Sequence, residues 1–338
     1  MGIAGEETER APRKPARVYI LTPVYFDVDP LLTLREDAAR SIEEDPDLRG
    51  TEVTFVALDD TAGRDPEFTK VRSLADATVI TPPFNLGHQR GLVYALRCLA
   101  PTLRDSDLIV TMDADGEDRP TDVPRLIHEL VSLGENSEHL VVAQRTRRSK
   151  MPLTLRLLYP CFRATFYLAT GTSVRSGNFA AYRADTAKRM LLHPMFDLCY
   201  SSTLLNLDFP VALVPCERGD RISGKSRMGY SQLFSHALRM LMPFTENIAR
   251  RALWTFLVSL VIAVILALTI VAVRLGTESA TPGWATYSLA GMSILSVVSL
   301  GNLVLLFTVY SQSTAVSLSS LESNWDPFEA RPVSERER

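Results

Sequence analysis

The sequence predicts a mostly parallel α/β sheet with helices on both faces, followed by two C-terminal transmembrane helices. Five short β-rich runs, each separated from the next by enough chain for one helix, predict the sheet. Two long uncharged runs near the C-terminus predict the membrane helices. A cluster of acids directly after the fourth β-rich run predicts the ligand site, because ligands of open α/β sheets bind beyond the carboxyl ends of the strands.

The predicted strands are short and rich in β-branched residues, and their alternation with helix-length stretches indicates parallel pairing. One helix is visible from its spacing, because Leu92, Leu96 and either Leu99 or Leu103 share a face over residues 91–103. The strands are predicted at residues 17–22, 52–58, 77–81, 108–112 and 140–143.

The two uncharged runs, residues 253–273 and 288–310, are each close to the ~20 residues that span a bilayer core. A buried helical pair in a soluble domain is the alternative, and it is disfavoured because uncharged runs of this length exceed ordinary core helices. Arg250 and Arg251 precede the first run, whereas residues 274–287 contain one Arg and one Glu. The positive-inside rule therefore predicts that both termini are cytoplasmic and that the connecting loop lies outside.

The remaining composition fits a cytosolic domain. The formal net charge is only -3, and we expect no nucleic-acid partner. Residues 1–15 are charged and contain proline, so a mobile tail is expected there and not a signal peptide. No Cys-x-x-Cys pair occurs, and reduced structural thiols are expected at Cys98, Cys161, Cys199 and Cys216.

The acidic cluster begins with an Asp-x-Asp pair, Asp113 and Asp115, and Glu117 and Asp118 follow closely. Carboxylate oxygens are hard ligands, so the pair can bind a divalent cation such as Mg²⁺ or Mn²⁺ that also holds a substrate's phosphates. A solvated acidic turn is the alternative, since Asp-Arg-Pro-Thr-Asp also suits a helix start. The polar residues at other strand ends favour the metal site.

Two of these residues follow the second and third predicted strands. The Asp60 carboxylate can hold ribose hydroxyls or a base N–H, and Gly87 allows the backbone to approach a ligand at a helix start. Each has a structural alternative, because Asp-Asp-Thr-Ala-Gly is also a good turn and Asn-x-Gly also enters a helix. On one edge of a sheet, these loops and the Asp-x-Asp pair would form a single crevice.

A family resemblance is carried by six segments in order: TPVY, ALDDTAG, NLGHQRG, VTMDADGEDRP, VVAQRTRRS and ERGDRISGKSRMGYSQL. Over residues 18–241 the chain resembles the family 2 glycosyltransferases of GT-A fold. It is most similar to the polyprenyl-phosphate sugar transferases, the group of dolichol-phosphate mannose synthases and bacterial undecaprenyl-phosphate glucosyltransferases. The two C-terminal runs agree with the membrane-anchored bacterial members.

The resemblance implies a donor site at the strand ends. Asp113 would lie on the ribose and diphosphate side, and Asp115 would ligate the Mg²⁺ or Mn²⁺ that bridges the two donor phosphates. Arg145 would have a minor donor-side role, with a surface arginine as the alternative. The residues expected to contact the nucleotide sugar are Pro23, Tyr25, Asp60, Gly87, Asp113 and Lys225.

One departure from the family pattern concerns the acceptor. Members often read Gly-Asp-Phe-Arg-Leu, with the Asp proposed as a base, whereas this chain has Asn178 at the Asp position. Asn178 cannot take the proton of a hydroxyl acceptor. A phosphate monoester has a second pKa near ~6 and is largely ionised at neutral pH. A lipid phosphate therefore needs no base, and Asn178 can act on it by hydrogen bonding.

A basic loop, residues 217–230, contains Arg218, Arg221, Lys225 and Arg227 among glycine and serine, and it is expected to be mobile. In related transferases such a loop lies over the donor phosphates and meets the acceptor phosphate. Nonspecific adhesion to anionic headgroups is the alternative, and the two roles are compatible.

Two further apolar segments are expected near the membrane. Residues 231–250 have the pattern of an amphipathic helix that lies in the interface, with an ordinary core helix as the alternative. Residues 153–168 suit a second interfacial segment or core packing equally well.

The complete prediction is an inverting transferase that moves one sugar from a UDP- or GDP-sugar to polyprenyl phosphate at the cytoplasmic face of the inner membrane. Transfer to another lipid or a growing glycan is one alternative, and a noncatalytic sugar-nucleotide-binding membrane protein is another. Association of copies through the transmembrane helices is compatible with the pattern. The expected catalytic residues are Asp115, Asn178, Arg218 and Arg221. The expected segments are a tail (1–15), a catalytic domain (16–227), a juxtamembrane segment (228–252), two spans (253–273 and 288–310), their loop (274–287) and a C-terminal tail (311–338).

Overall fold

The computed structural model describes most of the chain. Lys225 and Arg227 lie outside the described residues, as do most of the predicted N-terminal tail and nearly all of the C-terminal one. The described residues are 14–134, 138–145, 153–173, 176–207, 209–219, 221–222, 230–276 and 283–312.

A seven-stranded sheet forms the centre of the molecule, in the order β3-β2-β1-β4-β6-β5-β7. All pairings are parallel except those of β6, which runs antiparallel to both β4 and β5. The predicted α/β class is confirmed, and the five predicted strands are present with small shifts at their ends. Two strands, β6 and β7, were not predicted. The strands are β1 Arg17–Val24, β2 Glu52–Asp59, β3 Ala77–Ile80, β4 Leu108–Thr111, β5 Leu140–Arg145, β6 Ser176–Arg183 and β7 Val211–Cys216.

Helices cover both faces of the sheet, because successive side chains of a strand point to opposite faces. Val18 and Ile20 of β1 pack with Leu34 and Leu126 on one face. On the other face, Tyr19 and Leu21 pack with Leu92 and Leu96. The helices are α1 Val28–Glu44, α2 Phe68–Arg72, α3 His88–Leu99, α4 Val123–Ser132, α5 Leu153–Thr170, α6 Ala184–Met190, α7 Tyr200–Leu204, α8 Tyr230–Leu241, α9 Thr245–Gly276 and α10 Trp284–Gln312.

The strand directions bring seven strand ends to one edge. Five strands in addition to β4 run in the β4 direction, so their carboxyl ends share that edge. The antiparallel strand β6 contributes its amino end instead, since Thr111 at the end of β4 pairs with Ala180 near the start of β6. Asn178 therefore lies beside the loop that follows β4. In this way an antiparallel strand places the predicted acceptor residue next to the first acid of the Asp-x-Asp pair.

The helix predicted at residues 91–103 begins earlier, at His88, directly after Gly87. It ends at Leu99, and a 3₁₀ turn that contains Pro101 follows. The earlier start brings His88 and Gln89 into the first turn of α3, at the same sheet edge.

The helices α9 and α10 are long and apolar enough to cross a membrane and contain both predicted spans. Their most apolar windows are 0% and 6% buried, unlike those of core helices in a soluble protein. The helix α9 begins at Thr245, inside the predicted juxtamembrane segment.

The helices α5 and α8 pack near the start of α9. Phe166 of α5 is buried, with its ring centroid 5.4 Å from that of Phe244. Tyr167 and Leu168 on another side of α5 are exposed. The two alternatives for residues 153–168 thus describe different faces of one helix, of which one packs in a core and the other is apolar and exposed.

Candidate active site

The Asp-x-Asp loop after β4 is held by its own carboxylates. Asp118 Oδ2 accepts the main-chain N–H of Asp113 at 3.0 Å, and Asp115 Oδ1 accepts that of Glu117 at 3.0 Å. Gly116 has a φ of 86°, a conformation that favours glycine. The acids are therefore ordered by a tight turn, which fixes the carboxylates before any ligand binds.

The first part of the basic loop crosses directly over this turn. The Gly219 N–H donates to the Glu117 carbonyl at 2.8 Å, and the Ile222 N–H donates to the Asp115 carbonyl at 2.9 Å. A Cβ at Gly219 would collide with the Gly116 carbonyl oxygen, so only glycine permits this approach. The described part of the loop is thus docked on the acids by its main chain.

Two arginines of this loop pair with two of the acids. Arg218 Nη2 contacts Glu117 Oε2, and Arg221 Nη2 contacts Asp115 Oδ2. The Nε atoms of both arginines are buried and have no hydrogen-bond partner among the described residues. Burial lowers the pKa of the Arg221 guanidinium, but Asp115 and Glu117 more than offset it, and the net shift is upward. Each guanidinium therefore has an Nε–H that no described residue accepts and that an anion could accept.

Asp60 is buried where β2 meets the loop before α3. Its Oδ1 accepts the N–H groups of Leu86 at 3.2 Å and Gly87 at 3.1 Å. Burial raises the pKa of the Asp60 carboxyl to about 6, although these N–H groups and the nearby His88 act against the shift. Gly87 has a φ of 76°, which suits a residue without a side chain. Asp60 therefore holds the Gly87 main chain by a hydrogen bond, and its carboxyl has a raised pKa of about 6.

Exposed aromatic side chains follow β1 and β3 at the same edge of the sheet. Pro23 is buried within β1, and Tyr25 and Phe26 follow it as exposed residues whose ring centroids lie 4.9 Å apart. Phe26 has a φ of 54°, which is uncommon for a bulky residue and points to a local constraint. Phe84 in the loop after β3 is also exposed. Such rings offer flat apolar surface to a planar base.

Asn178 contacts the first acid of the pair directly. Its Nδ2 donates to Asp113 Oδ1 at 3.2 Å and also contacts His88 Nε2. His88 Nε2 lies 3.1 Å from the same Asp113 oxygen. Burial lowers the pKa of the His88 imidazole, but the carboxylates of Asp113, Asp60 and Asp115 reverse that effect and raise it overall. The acids near Asp113 thus favour the protonated form of His88 more than burial disfavours it.

The amphipathic helix α8 lies against this group. A Cβ at Gly87 would be 3.9 Å from Arg239 Nη1, so the side chain of Arg239 reaches the start of α3. His236 has a pKa lowered by burial, and the charges of His88 and Arg239 contribute to the same shift. The helix α8 therefore lies next to the start of α3, and its Phe234 and Leu238 are exposed.

The structure brings most of the predicted residues to one edge. For Arg145 only the backbone position is described, at the end of β5 and paired with Cys216. Lys225 lies outside the described residues. The predicted residues at this edge are Pro23, Tyr25, Asp60, Gly87, Asp113, Asp115, Asn178, Arg218 and Arg221.

Sequence reasoning assigned no role to His88 or Gln89, and it did not predict a third feature, the pairing of Glu117 with Arg218. The signals for the first two were their position directly after Gly87 at a helix start and their place in the segment NLGHQRG. The third was hidden because its partners are 101 residues apart in the chain.

The acidic turn offers the type of ligand atom that a divalent cation prefers. Asp115 and Glu117 present carboxylate oxygens, the ligands that Mg²⁺ and Mn²⁺ prefer, and each already attracts an arginine. A second group of possible ligands, Asp45, Asp47 and His128, lies near the end of α1, at the amino end of β2. That group is at the edge of the sheet away from the site and has no part in it.

The fold and this edge define an α/β protein with a candidate ligand site. Acids, arginines and exposed aromatic rings lie there at the carboxyl ends of parallel strands. Residues 20–191 match the family model "Glycosyl transferase family 2", and the chain belongs to this family. Membership supports a glycosyltransferase with a nucleotide-sugar donor. No curated protein matches.

Two solved structures are similar only at a distance. One is a 4-diphosphocytidyl-2C-methyl-D-erythritol synthase, with 13% identity, a TM-score of 0.35 and coverage of 66% of this chain and 99% of that one. The other is the Francisella tularensis 2-C-methyl-D-erythritol 4-phosphate cytidylyltransferase, with 12% identity, a TM-score of 0.32 and coverage of 65% and 98%. Similarity at this level has no bearing on the reaction.

Proposed function

We propose that this chain transfers one sugar from a nucleotide diphosphate sugar to polyprenyl phosphate at the cytoplasmic membrane surface. An oxygen of the acceptor phosphate forms the new bond to the anomeric carbon. The bond from that carbon to the donor diphosphate breaks, and the nucleoside diphosphate leaves from the opposite side. The configuration at the anomeric carbon is inverted.

The observation that carries this proposal is the pair of arginines docked on the acidic turn. Arg218 and Arg221 each have a buried Nε without a partner among the described residues, beside Glu117 and Asp115. A phosphate supplies acceptors for such donors, and guanidinium groups match phosphate geometry. Position 178 carries an amide that cannot act as a base, and a phosphate monoester needs none because it is already largely ionised.

The donor would occupy the edge between β1, β2 and β4. Tyr25 and its aromatic neighbours would contact the base, and Asp60 would accept hydrogen bonds from ribose hydroxyls or a base N–H. Asp113 would face the ribose and diphosphate. Asp115 would hold Mg²⁺ or Mn²⁺, which when bound neutralises charge that develops on the leaving diphosphate. Arg218 and Arg221 would orient the phosphates of donor and acceptor.

The acceptor would reach this edge along α8. Phe234 and Leu238 are exposed on the helix that contacts Gly87 through Arg239. An amphipathic helix with such a face lies in a membrane interface. The apolar helices α9 and α10 would anchor the domain, with both termini in the cytoplasm.

The direct test is transfer by the purified protein. Labelled UDP- and GDP-sugars are incubated with Mg²⁺ or Mn²⁺ and polyprenyl phosphate in vesicles, and the lipid phase is chromatographed. We expect labelled lipid, and we expect Asp115→Asn to lower the rate by on the order of 10²–10³. Asp105→Asn is the matched control, because Asp105 is exposed and pairs with Lys188 near the amino end of β4.

The same assay distinguishes the alternatives. Label found only on a different lipid or on a glycan would show another acceptor. Donor binding without turnover on any acceptor would show a noncatalytic binding protein. Either result would reject the proposed reaction.

A further inference from the structure

A pair of buried amide side chains connects α7 to the Asp-x-Asp loop. The Ser201 main-chain N–H donates to Gln89 Oε1 at 2.8 Å. Gln89 Nε2 donates to Asn178 Oδ1 at 2.7 Å, and Asn178 Nδ2 donates to Asp113 Oδ1 at 3.2 Å. Gln89, Asn178 and Ser201 are 9%, 8% and 7% exposed, so water is largely excluded from this chain of hydrogen bonds, which we call the relay.

The main-chain N–H of Ser201 determines the orientation of both amides. A main-chain N–H can only donate, so the atom of Gln89 that faces Ser201 must be the oxygen. The other end of that amide is then an NH₂ group, and the atom of Asn178 that receives it must also be an oxygen. By elimination, Asn178 presents its NH₂ group to Asp113. The backbone of α7 thereby decides which atom of residue 178 faces the site.

We propose that Gln89 is a positioning residue for transfer, because it fixes the Asn178 amide so that Nδ2 holds the Asp113 carboxylate. This inference rests on the proposed function, in which Asp113 faces the donor. Residue 178 then acts as a hydrogen-bond donor to an acid, and an amide is the side chain that can accept from Gln89 and donate to Asp113 at the same time.

The relay also explains why a carboxylate is absent at position 178. An Asp there could still accept from Gln89, but its second oxygen would face Asp113 Oδ1 at the present 3.2 Å separation. Two carboxylates this close cannot both stay ionised without a large penalty. One of the two carboxyls would have to take a proton, so an Asp at position 178 would disturb the way this chain holds Asp113.

Two substitutions distinguish a positioning role of Gln89 from the loss of a catalytic base at position 178. Asn178→Asp keeps the bond from Gln89 and restores the carboxylate of the family pattern. Gln89→Glu keeps an acceptor for the Ser201 N–H but has no proton for Asn178, so the Asn178 amide should turn its oxygen towards Asp113. In each variant we expect donor affinity and kcat/KM for the donor to fall at least about tenfold, the scale of a lost charge-assisted hydrogen bond. KM for the acceptor should change less than the donor affinity does.

Ser202→Ala is the matched control in the same helix. Its hydroxyl is buried without a hydrogen-bond partner among the described residues, so its removal should leave Tm and kinetics unchanged. Donor binding is measured by calorimetry with UDP- and GDP-sugars, and transfer is measured with polyprenyl phosphate vesicles and Mg²⁺.

Two results would overturn the inference. An Asn178→Asp variant as active as the wild type, or more active, would mean that position 178 accepts a base. A folded Gln89→Glu variant with wild-type donor affinity would mean that Gln89 positions nothing. If Gln89→Glu does not fold, Asn178→Asp decides, because it preserves the buried bond. Failure of wild-type protein to form lipid product would reject the proposed acceptor, and the donor affinities would still test the relay.

Discussion

The guanidinium of Arg221 contacts the carboxylate of Asp115, so the residue proposed to bind the metal already has a positive partner. The N–H of Ile222 to the Asp115 carbonyl reinforces this contact. A divalent cation and a guanidinium on the same carboxylate repel each other and compete for its negative charge. Metal binding at Asp115 should therefore release Arg221, which becomes available for a phosphate of donor or acceptor.

Arg221→Ala should move two measured quantities in opposite directions. Without its competitor, Mn²⁺ should bind the donor-free protein several-fold more tightly in calorimetry. Transfer should fall by about tenfold or more, because a charge-assisted contact to phosphate is lost. Arg125→Ala is the control, since Arg125 pairs with Asp122 at the start of α4. A variant with weaker Mn²⁺ binding would contradict competition at Asp115.

Donor affinity should depend on pH through Asp60. Because the pKa of this carboxyl is raised to about 6, it gains a proton as pH falls through that value and loses acceptor capacity. We expect the donor Kd to rise by up to about tenfold per pH unit below that value. A nucleotide sugar has no phosphate monoester that titrates there. Calorimetry between pH 5 and 8 checks this, and Asp60→Asn should bind weakly at every pH.

The stability effect of the same residue has the opposite sense. A carboxyl whose pKa is higher in the folded state than in the unfolded state favours folding when protonated, below pH 6, and reduces stability when ionised above it. Asp60→Asn should therefore keep or raise Tm at pH 7.5 while it lowers donor affinity. A large drop in Tm would indicate that Asp60 mainly holds the loop at Gly87.

The exposed face of α8 should control access of the lipid acceptor. Phe234→Ser and Leu238→Ser should each raise KM for polyprenyl phosphate in vesicles by up to about tenfold, because each removes apolar area from the interface. The donor Kd should not change. Leu192→Ser is the control, as Leu192 is 82% exposed and follows α6 at the other edge of the sheet. Equal effects of all three changes would argue against a specific role for α8.

Topology can be read by labelling single cysteines in intact cells. After replacement of the four native cysteines, a Cys at residue 2 or 337 should be protected from an impermeant maleimide, and a Cys at residue 279 should react. The reason is the excess of arginine before the first apolar run (253–273) and in the tail compared with the connecting loop. Protection at residue 279 or labelling at residue 337 would reject two spans with cytoplasmic ends.

The sequence by itself determined the class of fold and predicted which polar residues gather at one edge of the sheet. Strands such as Leu108–Thr111 are apolar on both faces, and helix-length stretches separate them, so the parallel sheet follows from pattern. The ends of such strands gather at one edge, which made Asp60, Gly87 and Asp115 predictable as neighbours. Long uncharged runs similarly predicted α9 and α10. Each of these signals is local, because it depends on residues close together in the chain.

Only the tertiary structure decided how distant segments meet. The direction of β6, reversed relative to its neighbours, places Asn178 beside Asp113. It also brings Asn178 into hydrogen-bond contact with Gln89, which is 89 residues away in the chain. No spacing in the sequence encodes that contact, because it depends on strand order and on the side of the sheet that α7 covers. The same holds for Arg221 on Asp115, 106 residues apart. Periodicity sets which elements form, whereas the packing of those elements sets which polar atoms are buried together and must satisfy one another.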